Sequence, residues 1–295
     1  MAPSYQLTLV ARAAPDAFSA VLPALKSAGA VSDYAISEDP VIPGSEYRRL
    51  VLQIAAGCEN EQVRASVLNH GAALAAYAIT PADIPATRLA VFDTDSTFIN
   101  EEVIDEIAGF AGYKSQVAAI TERAMQGELD FNAALAERVA LLRDLPEETL
   151  EKVRAEKLSL TKGAEELTQA LHGAGVKTYL LSGGFNFVTG YFARTLAMTG
   201  HFANELEIAS GRLTGKTRGT IVNRQRKAEL LRELSASHNI PAAATIAIGD
   251  GANDLDMCRQ SGLGIAFCAK PALQNETFAA VFERDLRLVL SLIHI

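Results

Sequence analysis

The chain has 295 residues and a formal net charge of -8 with no basic stripe, which argues against a nucleic-acid footprint. Its 49% hydrophobic and 21% charged residues suit a globular protein long enough for a large core and two domains. Three scattered cysteines without metal spacing (Cys58, Cys258, Cys268), no apolar run of roughly 18 residues, and a start (Met1-Ala2-Pro3-Ser4) unlike a signal peptide predict a cytoplasmic protein that does not enter a membrane.

Residues 1–85 read as a small α+β module. Residues 5–11 alternate like a strand and 14–28 suit a helix. Residues 30–36 and 47–55 read as strands around a loop holding Pro40, Pro43 and Gly44. Residues 59–77, rich in Ala and Leu, read as a helix. This order is close to the β-α-β-β-α-β ferredoxin-like plan on which ACT-type domains are built. Such a module suits either regulation or packing and homodimerisation, because a fold alone gives no function. Pro81 and Pro85 mark the linker to a second domain, 86–295.

Residues 89–92 form an apolar strand that stops at Asp93-Thr94-Asp95-Ser96-Thr97. Two carboxylates one residue apart repel each other and need solvation, donors or a cation. A helical region follows at about 101–156, broken near Gly127 and Pro146, and is placed as a cap over the strand ends. Helix 164–172 is closed by Gly173 and Gly175. Strand 176–181 ends in Ser182-Gly183-Gly184. Helix 224–237 precedes strand 245–248, which ends in Gly249-Asp250-Gly251, and 264–267 is a further strand. Alternating strands and helices predict a doubly wound parallel sheet, with several polar strand ends converging on one crevice.

Taken singly, these motifs have plainer meanings. Asp93 and Asp95 would suit a helix N-cap, Ser182-Gly183-Gly184 a turn, Lys227 a solvated helix lysine and Asp250-Gly251 another turn. Two Asp, then Ser, then Lys, then Asp250 and Asp254, mostly at strand ends, are hard to explain by packing together. A carboxylate is ionised at neutral pH and can attack a phosphate ester without a base, provided a cation screens the charge.

In this order the motifs resemble the haloacid dehalogenase superfamily and, within it, the phosphoserine phosphatase family. Four stretches carry the resemblance: Phe92 to Glu106, Thr121 to Phe131, Leu181-Ser182-Gly183-Gly184-Phe185, and Ala247 to Asp254. The resemblance runs from about residue 88 to the C-terminus. It implies a haloacid dehalogenase-like fold with an inserted helical cap. The implied activity is hydrolysis of O-phospho-L-serine to L-serine and phosphate, the last step of serine biosynthesis, with Mg²⁺ as cofactor. It implies that Asp93 is the nucleophile and Asp95 the general acid/base. The metal would be held by Asp93, Asp250 and the backbone carbonyl of Asp95, with Asp254 behind them holding a metal water. Ser182, Gly183, Lys227 and Asn253 would bind phosphate. Glu102 and Arg138 would meet the ammonium and carboxylate of the amino acid, and Met125 and Phe131 would close over it. Thr94, Lys162 and Asn223 depart from the family pattern without touching those positions. The alternatives are a phosphatase or phosphotransferase for another small phosphomonoester, and a serine-sensing regulator built on the N-terminal module.

Overall fold

The computed structural model describes residues 4–13, 16–31, 46–125 and 128–295, save the side chain of Met125. In chain order the elements begin with β1 (Tyr5–Arg12), α1 (Val21–Ser27), β2 (Tyr47–Gln53), α2 (Asn60–His70), β3 (Leu74–Pro81) and β4 (Leu89–Phe92). Four helices follow: α3 (Val103–Phe110), α4 (Lys114–Met125), α5 (Phe131–Ala140) and α6 (Glu148–Lys157). Then come α7 (Ala164–Gly173), β5 (Lys177–Phe185), α8 (Asn186–Thr195), β6 (Gly200–Ala209), β7 (Arg212–Arg218) and α9 (Arg224–Ser237). The last are β8 (Thr245–Gly249), α10 (Leu255–Gln260), β9 (Leu263–Phe267), α11 (Pro271–Gln274) and β10 (Ala279–Val281).

Successive strand residues face opposite sides of a sheet, and β4 shows this directly. Leu89 and Val91 pack with Leu230, Leu231 and Leu234 of α9, whereas Ala90 and Phe92 pack with Leu167 and Leu171 of α7. Both faces are covered, so the central strands read as unbroken apolar runs. The strand order is β2-β1-β3-β10-β9-β8-β4-β5-β6-β7. Strands β10, β9, β8, β4, β5 and β6 run parallel, while β7 and the three N-terminal strands join antiparallel at the edges. The doubly wound parallel sheet therefore forms as expected, within a wider mixed sheet.

Strand β3 pairs with β10, so the segments 1–85 and 86–295 share one sheet. They also share a core: Leu7, Leu9, Val21 and Leu25 cluster with Leu89, Val91 and Leu230. The described N-terminal strands keep the order β2-β1-β3 with antiparallel pairing. The strand expected over 30–36 lies outside the described residues, apart from Ala30 and Val31, which are buried but not in a strand.

Two N-terminal elements differ from expectation. The helix expected over 14–28 spans only Val21–Ser27. The helix expected over 59–77 ends at His70, and Leu74–Pro81 is a strand. Its Ala-rich composition favours helix, but β3 lies between β1 and β10 with all residues from Leu74 to Thr80 buried, and tertiary pairing overrides propensity. Gly71 permits the tight return, because a Cβ there would lie 2.5 Å from the Val67 carbonyl oxygen. The hairpin β6–β7 was not expected at all. Its two-residue turn, Ser210-Gly211, has both residues at positive φ (51° and 72°), the conformation that matches strand twist.

The cap, α3 to α6, is inserted after β4. Its two chain crossings are stitched together: Asn100 N–H donates to Ser159 O (3.1 Å), Thr161 N–H to Phe98 O (3.0 Å) and the Ser159 hydroxyl to Glu101 (2.6 Å). The far end docks on the hairpin through Asp144 N–H to Leu213 O and Leu213 N–H to Leu145 O, each 2.9 Å. Among the described residues no helix is long and apolar enough to cross a membrane.

Candidate active site

The parallel strands put their carboxyl ends on one side, and the register sets the polar ends level. Phe92 pairs with Leu180 and with Ile248, so Asp93 lies between the start of the Ser182 loop and Gly249. Asp93 N–H donates to Ile248 O (2.8 Å), which fixes its main chain to β8. The chain then makes one tight turn over Thr94–Phe98, closed by Ile99 N–H to Thr94 O (2.9 Å), with Ser96 in the left-handed region at φ 56°. This turn puts the Asp93 and Asp95 carboxyls over the same crevice.

The floor centres on Lys227, fully buried on α9. Its Nζ donates to Asp93 Oδ1 and Asp254 Oδ1, both at 2.7 Å. Asp93 Oδ1 also accepts the Thr94 N–H (2.7 Å), while Oδ2 has one long contact, from Asn253 Nδ2 at 3.4 Å. Asp254 Oδ2 accepts the N–H groups of Asp250 and Gly251, each at 3.2 Å. Burial alone would push the Lys227 ammonium down; Asp254 and Asp93 outweigh it and hold it above its ordinary value. Lys227 stays charged and fastens two carboxylates. Gly249 admits this packing, since a Cβ there would lie 2.4 Å from Asp254 Cγ.

Asp95 is different. Burial first, then Glu102 and Asp93, push its carboxyl well above the usual carboxylate range, against a single N–H from Val103 (3.2 Å) and the charge of Lys227. Its Oδ1 is enclosed without a partner among the described residues. Asp250 rises to about 7, from burial and the charges of Asp93 and Glu102, with Lys270 opposing. A carboxyl held this way keeps its proton towards neutral pH, while the Asp93 oxygen not held by Lys227 and Thr94 is open to react.

Asp93, Asp250 and Asp254 bring ligand-capable oxygens within 4.8 Å of one another. Both Asp254 oxygens already accept hydrogen bonds, whereas Asp93 Oδ2 and the Asp250 carboxylate keep free lone pairs. This buried acidic set suits a hard divalent cation, with Asp93 and Asp250 as direct ligands and Asp254 behind them.

A cavity of about 320 Å³ lies over this floor. Asp93, Asp95, Glu102, Phe131, Arg138, Ser182, Gly183, Asp250 and Asn253 line it together. Lys227 and Asp254 lie beneath the lining. Met125 ends α4, and its side chain lies outside the described residues. Ser182 is buried, and its Oγ accepts the Gly184 N–H (2.9 Å). Gly183 and Gly184 cannot readily carry a Cβ: one would meet Phe131 Cζ at 3.0 Å, the other the Asp95 oxygens at 3.1 and 3.2 Å. On the cap, Phe131, Leu135 and Arg138 face the cavity from one stripe of α5. Burial lowers the Arg138 guanidinium while Asp105, Glu102 and Asp95 oppose it, and its Nε donates to Ala134 O (3.2 Å). Glu102 is exposed and accepts the Ser96 hydroxyl (2.8 Å).

Polar or glycine residues not expected in the site are Asp105, Thr121, Gly184 and Lys270 in the lining, and Asn204 behind it. Asn204 donates to Gly183 O and accepts from Val222 N–H, both 2.8 Å, which ties the Ser182 loop to the segment before α9. Asp105 and Thr121 sit at helical spacing from Glu102 and Met125, a usable signal; Asn204 and Lys270 gave none. The departures from the family pattern are accommodated. Thr94 is buried with its hydroxyl unpartnered among the described residues, Lys162 pairs with Asp285 (3.1 Å), and Asn223 caps α9 through Arg226 N–H (3.0 Å).

Comparison with known proteins follows the same lines. The family model for haloacid dehalogenase-like hydrolases matches residues 90–259. A phosphoserine phosphatase of Streptomyces coelicolor is 44% identical over 243 residues, covering 81% of this chain and 59% of that protein. The chain therefore spans about three fifths of the length of that curated relative. A solved structure of a phospho-aspartyl intermediate analogue of phosphoserine phosphatase is 40% identical with a TM-score of 0.66, covering 70% of this chain and 98% of that one. A solved HAD family hydrolase of Salmonella enterica serovar Typhi is 30% identical with a TM-score of 0.85 over 98% of both chains, so the likeness includes the N-terminal strands.

Proposed function

The chain belongs to the haloacid dehalogenase-like hydrolase family and groups with its phosphoserine phosphatases, and on that premise we propose that it hydrolyses O-phospho-L-serine to L-serine and phosphate. The observation that carries the reading is the unequal treatment of two neighbouring carboxyls. Asp93 is fastened by Lys227 and Thr94 N–H with one oxygen left open, and Asp95 is held towards its protonated form.

In this mechanism Asp93 attacks phosphorus and the phosphorus–oxygen bond to serine breaks. Asp95 gives its proton to the departing serine oxygen. Asp95, now ionised, takes a proton from a water that attacks the aspartyl-phosphate, which frees phosphate and restores both carboxyls. Ser182 and the Gly183 amide would hold phosphate oxygens, and Asn253 would donate from the other side. Lys227, whose buried ammonium donates to Asp93 Oδ1, would hold the nucleophile in place from below and offset negative charge of the phosphate. Mg²⁺ is the proposed metal; Asp93, Asp250 and the Asp95 carbonyl would hold it, and it would screen the charge between nucleophile and phosphate. Glu102 and Arg138 would meet the ammonium and carboxylate of the amino acid, with Phe131 closing over the Gly183 side.

The test is phosphate release from O-phospho-L-serine, O-phospho-L-threonine and sugar phosphates, with and without Mg²⁺. Metal-dependent preference for phosphoserine is expected; equal rates on a sugar phosphate would refute the substrate assignment. Asp93→Asn should abolish both turnover and the trapping of labelled phosphate on the protein, and label that persists would remove Asp93 as nucleophile.

A further inference from the structure

The cavity lining carries five carboxyl groups, Asp93, Asp95, Glu102, Asp105 and Asp250, against two cations, Arg138 and Lys270, and acid still outweighs base with Asp95 and Asp250 held towards their protonated forms. An anionic ester must therefore enter a mouth whose own charges oppose it. The two cations stand on different walls. Arg138 is half-buried on the cap, beside Glu102 and Asp105, with its Nε committed to its own helix. Lys270 stands on the core side, beside Asp250.

The main chain of Lys270 is fixed while its charge is free. Its N–H donates to Asp250 O (2.9 Å), and its carbonyl accepts from Leu273 and Gln274 (3.0 and 3.1 Å). It caps α11, with Pro271 at the first helical position. The side chain is exposed and forms no ion pair within 4 Å among the described residues. It is still near enough for its charge to act on the Asp250 carboxyl. A compact ammonium on a flexible stem, anchored at the base and loose at the tip, suits a ligand that moves from mouth to floor.

We infer that Lys270 captures the phosphate of the incoming ester on the Asp250 side and delivers it to the floor, leaving Arg138 for the remainder of the ligand. The inference rests on the phosphomonoester reading above, though not on serine as the alcohol. Lys270 is thus a positioning residue for the phosphate, acting on association rather than on bond breaking. Phosphate is favoured over the amino-acid carboxylate because Lys270 lies at the floor end, away from the Glu102–Arg138 wall.

Steady-state kinetics of the full chain with saturating Mg²⁺ test it, using wild type, Lys270→Met and Lys270→Arg on phosphoserine and on nitrophenyl phosphate, at low and high ionic strength. Lys270→Met should raise KM about tenfold on both esters, with kcat changed far less and a shallower salt dependence of kcat/KM. Lys270→Arg should recover most of the loss. Calorimetry with inorganic phosphate should show the same weakening without turnover. A KM raised for phosphoserine alone would reassign Lys270 to the carboxylate and overturn the inference. So would unchanged KM on both esters, or a loss with unaltered salt dependence. Should wild type cleave nitrophenyl phosphate but not phosphoserine, the substrate reading fails, while the second ester and the phosphate titration still decide Lys270.

Discussion

The floor and the cap wall of one cavity are built by opposite rules. On the floor, Lys227, Asp93 and Asp254 are almost wholly buried, two 2.7 Å bonds fasten them, and Gly249 leaves no room for a side chain. On the cap wall, among the described residues, the Glu102 side chain is exposed and accepts a serine hydroxyl, and the Arg138 side chain donates to a carbonyl of its own helix. On the proposed function the floor holds the groups that change bonds, and such groups cannot wait for the ligand to organise them, because reorganisation would add to the barrier. On the proposed function, the groups that would recognise the ligand keep hydrogen-bonding capacity for the ligand itself to complete.

The largest expected effect breaks the floor. Lys227→Met keeps the length and removes the charge, leaving Asp93 and Asp254 buried and uncompensated. Breaking a buried ion pair by removing one partner costs about 3–5 kcal/mol, so the denaturant midpoint should fall sharply and turnover should vanish on every ester. An unchanged midpoint would mean that the floor is not held together electrostatically. On the cap wall the same kind of deletion should act differently. Arg138→Ala should lower kcat/KM for phosphoserine about a hundredfold, the scale of a lost charge-assisted contact, with nitrophenyl phosphate changed less than about threefold and stability little altered. Equal losses on both esters would show that Arg138 supports the fold of the cap rather than reading the carboxylate.

The same contrast explains what could be read in the sequence. Floor residues sit at the ends of buried strands, where an apolar run gives way abruptly to Asp93, Ser182 or Asp250, and the chain order of these breaks carries the information. Helix α9 has the limits expected of it, 224–237, and in the structure Asn223 caps its start through Arg226 N–H. Strand β3 was misread because Ala-rich residues carry no mark of the two neighbours that make them a strand. The sharing of sheet and core between the N-terminal strands and the rest was invisible for a like reason: three residues of β10, Ala279 to Val281, make the join and have no polar pattern. Lys270 looked like any lysine before a proline, since its place beside Asp250 depends on β9 lying next to β8.

The smallest effect lies where floor and cap meet. The Asn223 side chain divides its amide between them: Oδ1 caps α9, which carries Lys227 one turn further on, and Nδ2 donates to Asn132 Oδ1 on the cap at 3.2 Å. Next to Asn132, Phe131 lies over Gly183. A solvent-exposed hydrogen bond of this kind is worth about 0.5–1 kcal/mol, so Asn132→Ala should raise KM about two- to fivefold. The rise should be alike on phosphoserine and nitrophenyl phosphate, because the bond holds the cap rather than the amino acid. Asn223→Ala should add a stability loss of about 1 kcal/mol through the lost helix cap, seen in thermal unfolding and absent from Asn132→Ala. If Asn132→Ala leaves both KM values untouched, the closed cap is held by Phe131 and the β6–β7 hairpin alone. The boundary between rigid floor and adaptable wall would then fall at Gly183 instead of at α9.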